Sequence, residues 1–310
     1  MTSRSPNRVV LACGGGPETS AIGWLSDTSG AEVVAVTMDL GQGLALEDIR
    51  ERALAQGAVR AHVLDLRDSF ARGHLLPALQ AGALQDGDRP LVSALGRPLM
   101  ALHLVQLARL ENADAVAHGS SSTDLDTLVH ALEPALQVMA PARAGGFSPV
   151  DLLEPARTAG TDAPADDSRP QPRSAQGLLG DPAHVDIEFE RGVPVRTNGV
   201  AMSLVELIQS LETIGRAHGV ESPATGALHA AHRELQAAVA PPHLPQMAAL
   251  AAAYVTLIDH GGWFTPARDA LDAQVATGLD RLTGTIRVRF RQGECRVVGC
   301  RSPFAAMTVS

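Results

Sequence analysis

The chain has 310 residues, 45% of them apolar and 19% charged, with a mean hydropathy of +0.05 and a formal net charge of −9. It contains no lysine, no basic run, one Tyr and two Trp, which excludes a nucleic-acid-binding surface and leaves anionic ligands to local positive sites. No stretch approaches the length of a membrane span, and the chain is long enough for two domains.

Taken in order, the first half alternates short apolar runs with helical patterns. Val9–Cys13 reads as a strand, Ser20–Leu25 begins a helix, Glu32–Thr37 is the next strand and Leu46–Leu54 a helix of near-3.6 period. Ala61–Leu66 is a strand, Phe70–Leu79 is helical, and Leu99–Leu110 is an apolar helix entered through Pro98, a favourable first-turn residue. Ala113–Ala117 and Leu136–Ala140 complete the strands. Strands and helices alternating in this way predict an α/β fold, a doubly wound parallel sheet covered on both faces. Ligands of such sheets sit beyond the carboxyl ends of the strands, where the 14–16, 39–43 and 118–122 loops fall.

Between Glu154 and Pro182 the composition turns to Ala, Pro, Asp, Ser and Gly, and a linker or mobile loop is expected. The expected organisation is therefore a nucleotide-binding domain over 1–150, a linker over 151–182 and a smaller α+β domain over 183–310. Within the last, Val185–Phe189 and Val193–Val195 read as strands. Val205–His218, Leu250–Ile258 and Arg268–Leu282 read as helices. Ile286–Arg291 and Gly293–Val298 read as a hairpin, with Arg287 and Arg289 on one face and Val288 and Phe290 on the other.

Some candidate chemistry is set aside. Cys13, Cys295 and Cys300 are odd in number and lack C-x-x-C spacing, so small buried thiols are expected rather than a disulfide framework or metal site. His229 and His232, three apart with no acidic or thiol partner at ligand spacing, are expected as solvated or capping side chains. No metal-ligand set is read from the sequence. Residues 1–6 lead into a strand with no apolar leader, and a cytoplasmic protein is expected.

The chemistry-bearing stretch is Arg8–Ser20, an apolar run ending in Gly14-Gly15-Gly16 before Thr19 and Ser20 open a helix. Glycines admit an oxyanion close to the backbone, and the free N–H groups of a first helical turn point at it. No Gly-Lys-Ser/Thr follows, and the G-x-G-x-x-G spacing is absent, so this is neither a Walker A loop nor a dinucleotide fingerprint. The pattern by itself fits an anion cradle and a bare βα turn equally well.

Ala12-x-x-Gly15-Gly16-x-x-Thr19-Ser20 resembles the pyrophosphate loop of argininosuccinate synthases. Further similar blocks follow in the same order: Val36–Gly43, Pro90-Leu91 with Gly96-Arg97-Pro98-Leu99, Ala113–Gly119, Ile214–Val220, Gly262–Pro266 and Thr283-Gly284-Thr285. The resemblance spans nearly the whole chain and implies an N-type ATP pyrophosphatase domain followed by a shortened synthetase domain. It implies ATP and magnesium (Mg2+) as cofactors, with ATP held by Ala12, Gly14, Gly15, Gly16, Glu18, Thr19, Ser20, Met38, Gln42 and Gly119. Small-molecule substrates would meet Ser121, Asp126, Ser93 and Ser174, and no residue is assigned a catalytic role.

The chain departs from the family where the substrates are held. Gly14, Pro17 and Glu18 stand where the family has Ser, Leu and Asp. Leu125 replaces an Asn that touches both substrates, Val129 replaces the Arg that handles the citrulline carboxylate, and Arg89 replaces a Tyr. His218-Gly219-Val220 runs almost directly into Glu221-Ser222-Pro223, where the family has an intervening segment bearing a Glu and a Tyr. The family's C-terminal oligomerisation tail is also expected to be missing, and a homo-oligomer is left open. The expectation is an AMP-forming C–N ligase joining an amine such as aspartate to an acceptor other than citrulline. The alternative is a catalytically silent paralogue with a binding, structural or regulatory role.

Overall fold

The computed structural model describes residues 6–14, 17–43, 45–120, 123–144, 181–240 and 243–305. The expected linker lies outside these residues except at 181 and 182. In chain order the elements are β1 (Arg8–Ala12), α1 (Ala21–Ser29), β2 (Glu32–Asp39), α2 (Leu46–Ala55), β3 (Arg60–Asp65), α3 (Arg67–Phe70), α4 (Leu76–Gln80), β4 (Gln85–Asp86) and β5 (Arg89–Pro90). There follow α5 (Val92–Leu110), β6 (Ala115–Ala117), α6 (Asp124–Leu132) and β7 (Gln137–Met139). The second half holds β8 (Ala183–Glu190), β9 (Val193–Thr197), β10 (Val200–Ala201), α7 (Leu204–Ala217), α8 (Pro223–Val239), α9 (Leu244–Asp259), α10 (Pro266–Ala276), β11 (Gly284–Arg291) and β12 (Glu294–Arg301). Two compact units result: one draws on Met1–Phe70, Ser93–Gly160 and Ile258–Thr265, the other on Ala71–Val92, Thr161–Leu257 and Pro266–Ser310.

The first unit is built on a parallel sheet of order β3-β2-β1-β6-β7. Alternate residues Val9 and Leu11 of β1, Val33 and Ala35 of β2, and Ala115 and Ala117 of β6 share a core with Ala21, Ile22 and Leu25 of α1. The intervening Val10, Val34 and Val116 are fully buried too, so both faces are covered, as near-continuous apolar strands require. The chain moves outward from β1 to β3, then returns to place β6 on the other side of β1. That reversal opens a crevice between the carboxyl ends of β1 and β6, the usual ligand position in a doubly wound sheet.

At the opposite, amino edge of the sheet a buried carboxylate ties three elements together. Glu111, 3% exposed and just past α5, sits 2.8 Å from Arg60 Nη1 and 2.9 Å from His62 Nε2. Arg8 Nη1 donates to the Glu111 carbonyl at 2.8 Å. Burial alone would push the Glu111 carboxyl up, but the hydrogen bonds from His62 and Arg60 outweigh it and hold it below the ordinary value. Glu111→Gln leaves the Arg60 and Arg8 guanidiniums without this counter-charge and should cost about 2 kcal/mol in urea unfolding at pH 7. This falls short of the cost of breaking a fully buried pair, because Arg60 can return to water.

The second unit carries an antiparallel sheet of order β10-β9-β8-β11-β12. Val185, Ile187 and Phe189 of β8 and Ile286, Val288 and Phe290 of β11 are buried, while Arg287 faces solvent and Arg289 is half-buried. The expected alternation of the hairpin is thus present. Ser203 caps α7 through a capping box with Glu206, and Leu207 and Leu211 form its buried face.

Four local expectations are corrected. The long helix of the first unit begins at Val92, not at Pro98, because Ala94, Leu95, Leu99 and Met100 bury on both sides of the proline and outweigh one lost backbone bond. The 70–79 stretch is not one regular helix. Residues Ala71–Leu75 form a π turn directly ahead of Pro77, whose missing N–H cannot continue an α ladder. Helix α10 stops at Ala276, before Thr277-Gly278, instead of reaching Leu282. Cys13 is buried just beyond β1, but Cys295 and Cys300 on edge strand β12 are only partly covered.

Helix α8 itself was not read from the sequence, and it carries the largest correction. His229 and His232 are buried, at 8% and 0% exposure, not solvated. Among the described residues no acceptor or donor reaches Nδ1 of His229 or either ring nitrogen of His232, whose ring lies 6.2 Å from that of Phe189.

Candidate functional site

Five strand ends supply the described part of the site. After β1, the Cys13 N–H donates to the Val36 carbonyl at 2.8 Å, which carries the chain past the edge of the sheet before it turns. Gly14 is half-buried there. Pro17–Ser20 form a 3-10 turn leading into α1, and the Ser20 side chain makes no capping bond to the first turn. Ala12 is buried in the strand, Thr19 is half-buried and Ser20 is exposed. Gly15, Gly16 and the Glu18 side chain lie outside the described residues.

At the end of β2 the chain folds on itself. Gln42 Nε2 donates to the Met38 carbonyl at 3.0 Å, and its Oε1 accepts the Leu40 N–H at 2.6 Å. The Gly41 N–H donates to Asp39 Oδ1 at 2.8 Å. Gly41 and Gly43 have φ of 100° and 72°, so this turn needs residues without a Cβ. Both ends of the Gln42 amide are thereby spent on bracing the loop. Just past β3, Arg67 at the start of α3 pairs with Asp65 at 2.9 and 2.6 Å and lies 3.5 Å from Asp39 Oδ2. The Arg67 guanidinium, followed by its own N–H, holds the Asp65 carboxyl down at about 2. Asp39, Asp65 and Arg67 were not singled out from the sequence. Their signal was charged residues placed at the carboxyl ends of adjacent parallel strands.

After β6 stands His118, fully buried, with Gly119 buried beside it. His118 Nε2 lies 2.7 Å from Asp126 Oδ1, and the Ser120 N–H donates to His118 Nδ1 at 3.2 Å. Arg143, beyond β7, closes on Asp126 Oδ2. Burial alone would raise the Asp126 carboxyl, but the bonds from His118 and Arg143 outweigh it and hold it below its ordinary value. Arg97 of α5 meets Asp124 at the start of α6 at 2.7 Å. Ser93 is half-buried one helical turn before Arg97. Ser121 and Ser174 lie outside the described residues.

Leu125, Leu128 and Val129 are 2%, 1% and 0% exposed, so this face of α6 belongs to the core. It packs near the turn that begins at Gly261, where an added Cβ would sit 3.6 Å from Thr127 Cγ2 and 3.7 Å from Leu128 Cγ. The positions at which the family resemblance implies an Asn and an Arg are therefore packed by aliphatic side chains. Among the described residues no cluster of three His, Cys, Asp or Glu could hold a metal ion, and no helix is long and apolar enough to cross a membrane.

Comparison with known proteins places the whole chain. Residues 8–162 match the family model of the arginosuccinate synthase N-terminal HUP domain. Residues 163–222 and 220–308 match that of the arginosuccinate synthase C-terminal domain, in two pieces that meet at the α7–α8 turn. The chain is 36% identical over 354 aligned positions to the argininosuccinate synthase of Symbiobacterium thermophilum, covering 96% of this chain and 88% of that protein. It is 35% identical over 359 positions to the argininosuccinate synthase of Gloeobacter violaceus, covering 97% of this chain and 90% of the relative. Both alignments are longer than the chain's 310 residues, so these relatives carry segments that it lacks. With both family models matched across nearly its full length, the chain belongs to the argininosuccinate synthase family.

Proposed function

We propose that this protein is an ATP-dependent, AMP-forming C–N ligase of the argininosuccinate synthase type whose acceptor is not citrulline. In this chemistry a ureido or carbonyl oxygen of the acceptor attacks the α-phosphorus of ATP and pyrophosphate leaves. An amine such as that of aspartate then attacks the activated carbon and expels AMP. Positioning and charge neutralisation do most of the work in such transfers.

The nucleotide side is supported by the crevice at the β1/β6 switch. Residues Ala12, Gly14–Gly16, Glu18, Thr19 and Ser20 would form the phosphate cradle at the start of α1, with Met38, Gln42 and Gly119 lining the neighbouring strand ends. That the Ser20 side chain leaves the first turn of α1 uncapped fits a phosphate oxyanion near that place. The chain offers no protein cage for magnesium among its described residues, which fits an ion that arrives with the phosphates and neutralises their charge. We assign nucleotide binding to residues 1–150 and substrate contacts to Ser93, Ser121 and Ser174, in a cytoplasmic protein that uses small-molecule substrates.

The observation that carries the acceptor assignment is the buried face of α6. A citrulline carboxylate would meet Val129, 0% exposed, where the resemblance implies an arginine, and would lose a charge-assisted pair. The discontinuity of the C-terminal match at 220–222 agrees with the loss of further acceptor contacts. A second reading, a catalytically silent paralogue, draws on one observation: both oxygens of Asp126 are already engaged by the protein's own His118 and Arg143.

Pyrophosphate release by the purified protein, with MgATP, aspartate and a panel of acceptors, separates these readings. Release that depends on an acceptor other than citrulline is the expected result. Release with citrulline alone would overturn the acceptor assignment. No release with any acceptor, together with no heat of ATP binding, would leave the silent paralogue.

A further inference from the structure

The resemblance to the family casts Asp126 as a contact for the incoming amine, but the geometry around it points elsewhere. Asp126 Oδ1 lies 2.7 Å from Nε2 of a histidine that is fully buried, and Oδ2 is closed by Arg143. A backbone N–H can only donate, so the Ser120 N–H at 3.2 Å requires His118 Nδ1 to be an unprotonated acceptor. The ring is then neutral, its hydrogen is on Nε2, and that hydrogen is donated to Asp126. Lone pairs remain on the carboxylate, but its charge is matched by the Arg143 guanidinium. An ammonium arriving there meets a pair with no net charge.

We propose that Asp126 is a positioning residue, not the amine anchor: with Arg143 as its counter-cation, it fixes the His118 tautomer, and His118 in turn holds the Gly119–Ser120 turn at the β6 end of the crevice. The hub joins three elements that are distant in sequence. His118 follows β6 and also takes the Met139 carbonyl of β7 through its backbone N–H at 3.1 Å. Asp126 lies on α6, and Arg143 comes from the turn after β7. A shift of Asp126 is therefore transmitted through a rigid buried ring to the turn that borders the nucleotide. Arg143 and His118 join the site as residues that act through others. The kinetic part of the inference rests on the ligase reading, whereas the structural part does not.

Two measurements test it. The first uses Asp126→Asn, Arg143→Gln and their double variant, assayed by pyrophosphate release with whichever acceptor of the panel supports turnover. Positioning predicts that either single change lowers kcat roughly 10- to 100-fold, the scale of an ångström-level misplacement. The KM for the amine should move less than about 3-fold, and the double variant should be no worse than the poorer single one. Arg143→Lys, which restores the charge, should recover part of kcat. An amine anchor predicts the reverse split: Asp126→Asn raises the amine KM with little change in kcat, while Arg143→Gln lowers that KM by freeing the carboxylate.

The second measurement needs no turnover. In protein labelled with 15N-histidine, the resonances that vanish in His118→Gln should report a neutral ring with the hydrogen on Nε2 in the wild type. Asp126→Asn should give a mixture of tautomers. A His118 hydrogen on Nδ1, or a wild-type signal unchanged by Asp126→Asn, would overturn the proposal even in an active enzyme. If no acceptor supports turnover the ligase reading fails, and the tautomer result still decides the role of Asp126.

Discussion

Gly215→Ala is expected to lower the stability of the second unit by about 2 kcal/mol, although alanine is the better helix former. Gly215 lies in the last turn of α7, where an ideal Cβ would fall 2.1 Å from Pro223 Cβ, 2.7 Å from Pro223 Cγ and 3.2 Å from the Phe290 ring. Pro223 is the first residue of α8 and its ring cannot rotate away, so α8 would have to shift as a whole. Overpacking of this kind costs about 1–3 kcal/mol, occasionally more, and outweighs the roughly 1 kcal/mol gained in helix propensity. The same substitution at Gly23, on α1 with nothing within 4 Å, should be neutral or stabilising. Urea midpoints of the two variants check this, and Pro223→Gly in the Gly215→Ala background should restore part of the loss. Equal midpoints for the two alanine variants would mean that α7 and α8 do not approach this closely.

The second large effect is on pH dependence. Burial pushes the His232 imidazolium down to about 3, with His229 adding to the shift, and burial followed by Arg233 brings His229 to about 4. In the unfolded chain both titrate near 6.5. Below that value the unfolded state takes up protons that the native state refuses, so folding stability is complete above about pH 6.5. It falls as the pH drops from 6.5 towards 3. At pH 4 the loss from His232 by itself is on the order of 3 kcal/mol, at 1.36 kcal/mol per pH unit. His232→Leu removes two buried nitrogens that lack partners and keeps a similar volume. It should leave stability at pH 7.5 equal or higher and flatten the decline to pH 4.5. Thermal or urea unfolding at the two pH values is the measurement, and an unchanged slope in the variant would sink the assignment.

Much of the first unit was legible in the sequence because its signals are local. A strand such as Val9–Cys13 announces itself by a β-branched run and ends at glycines, and its partner helices follow within a few residues. Once five such strands are parallel, the crossover rule places the 14–16, 39–43 and 118–122 loops on one edge without further information. The site was legible as a set of loops, and its amino-acid blocks marked the family. Its hydrogen bonds were not: Gln42 bracing Met38 and Leu40, Arg67 reaching Asp39, and Arg143 closing on Asp126 depend on loop paths that no pattern of residue types encodes.

The sequence by itself determined the parallel sheet, the position of the crevice and membership of the argininosuccinate synthase family, because periodicity, glycine punctuation and ordered motifs are properties of neighbouring residues. Only the tertiary structure decided which polar groups are spent on the protein itself. His232 and His229 look like surface residues among alanines until α8 is laid on the antiparallel sheet. Asp126 looks like a ligand-binding acid until residues 118 and 143 are brought to its two oxygens. Burial and charge pairing are set by partners far along the chain, so the same side chain is a site or a brace according to what the fold places against it.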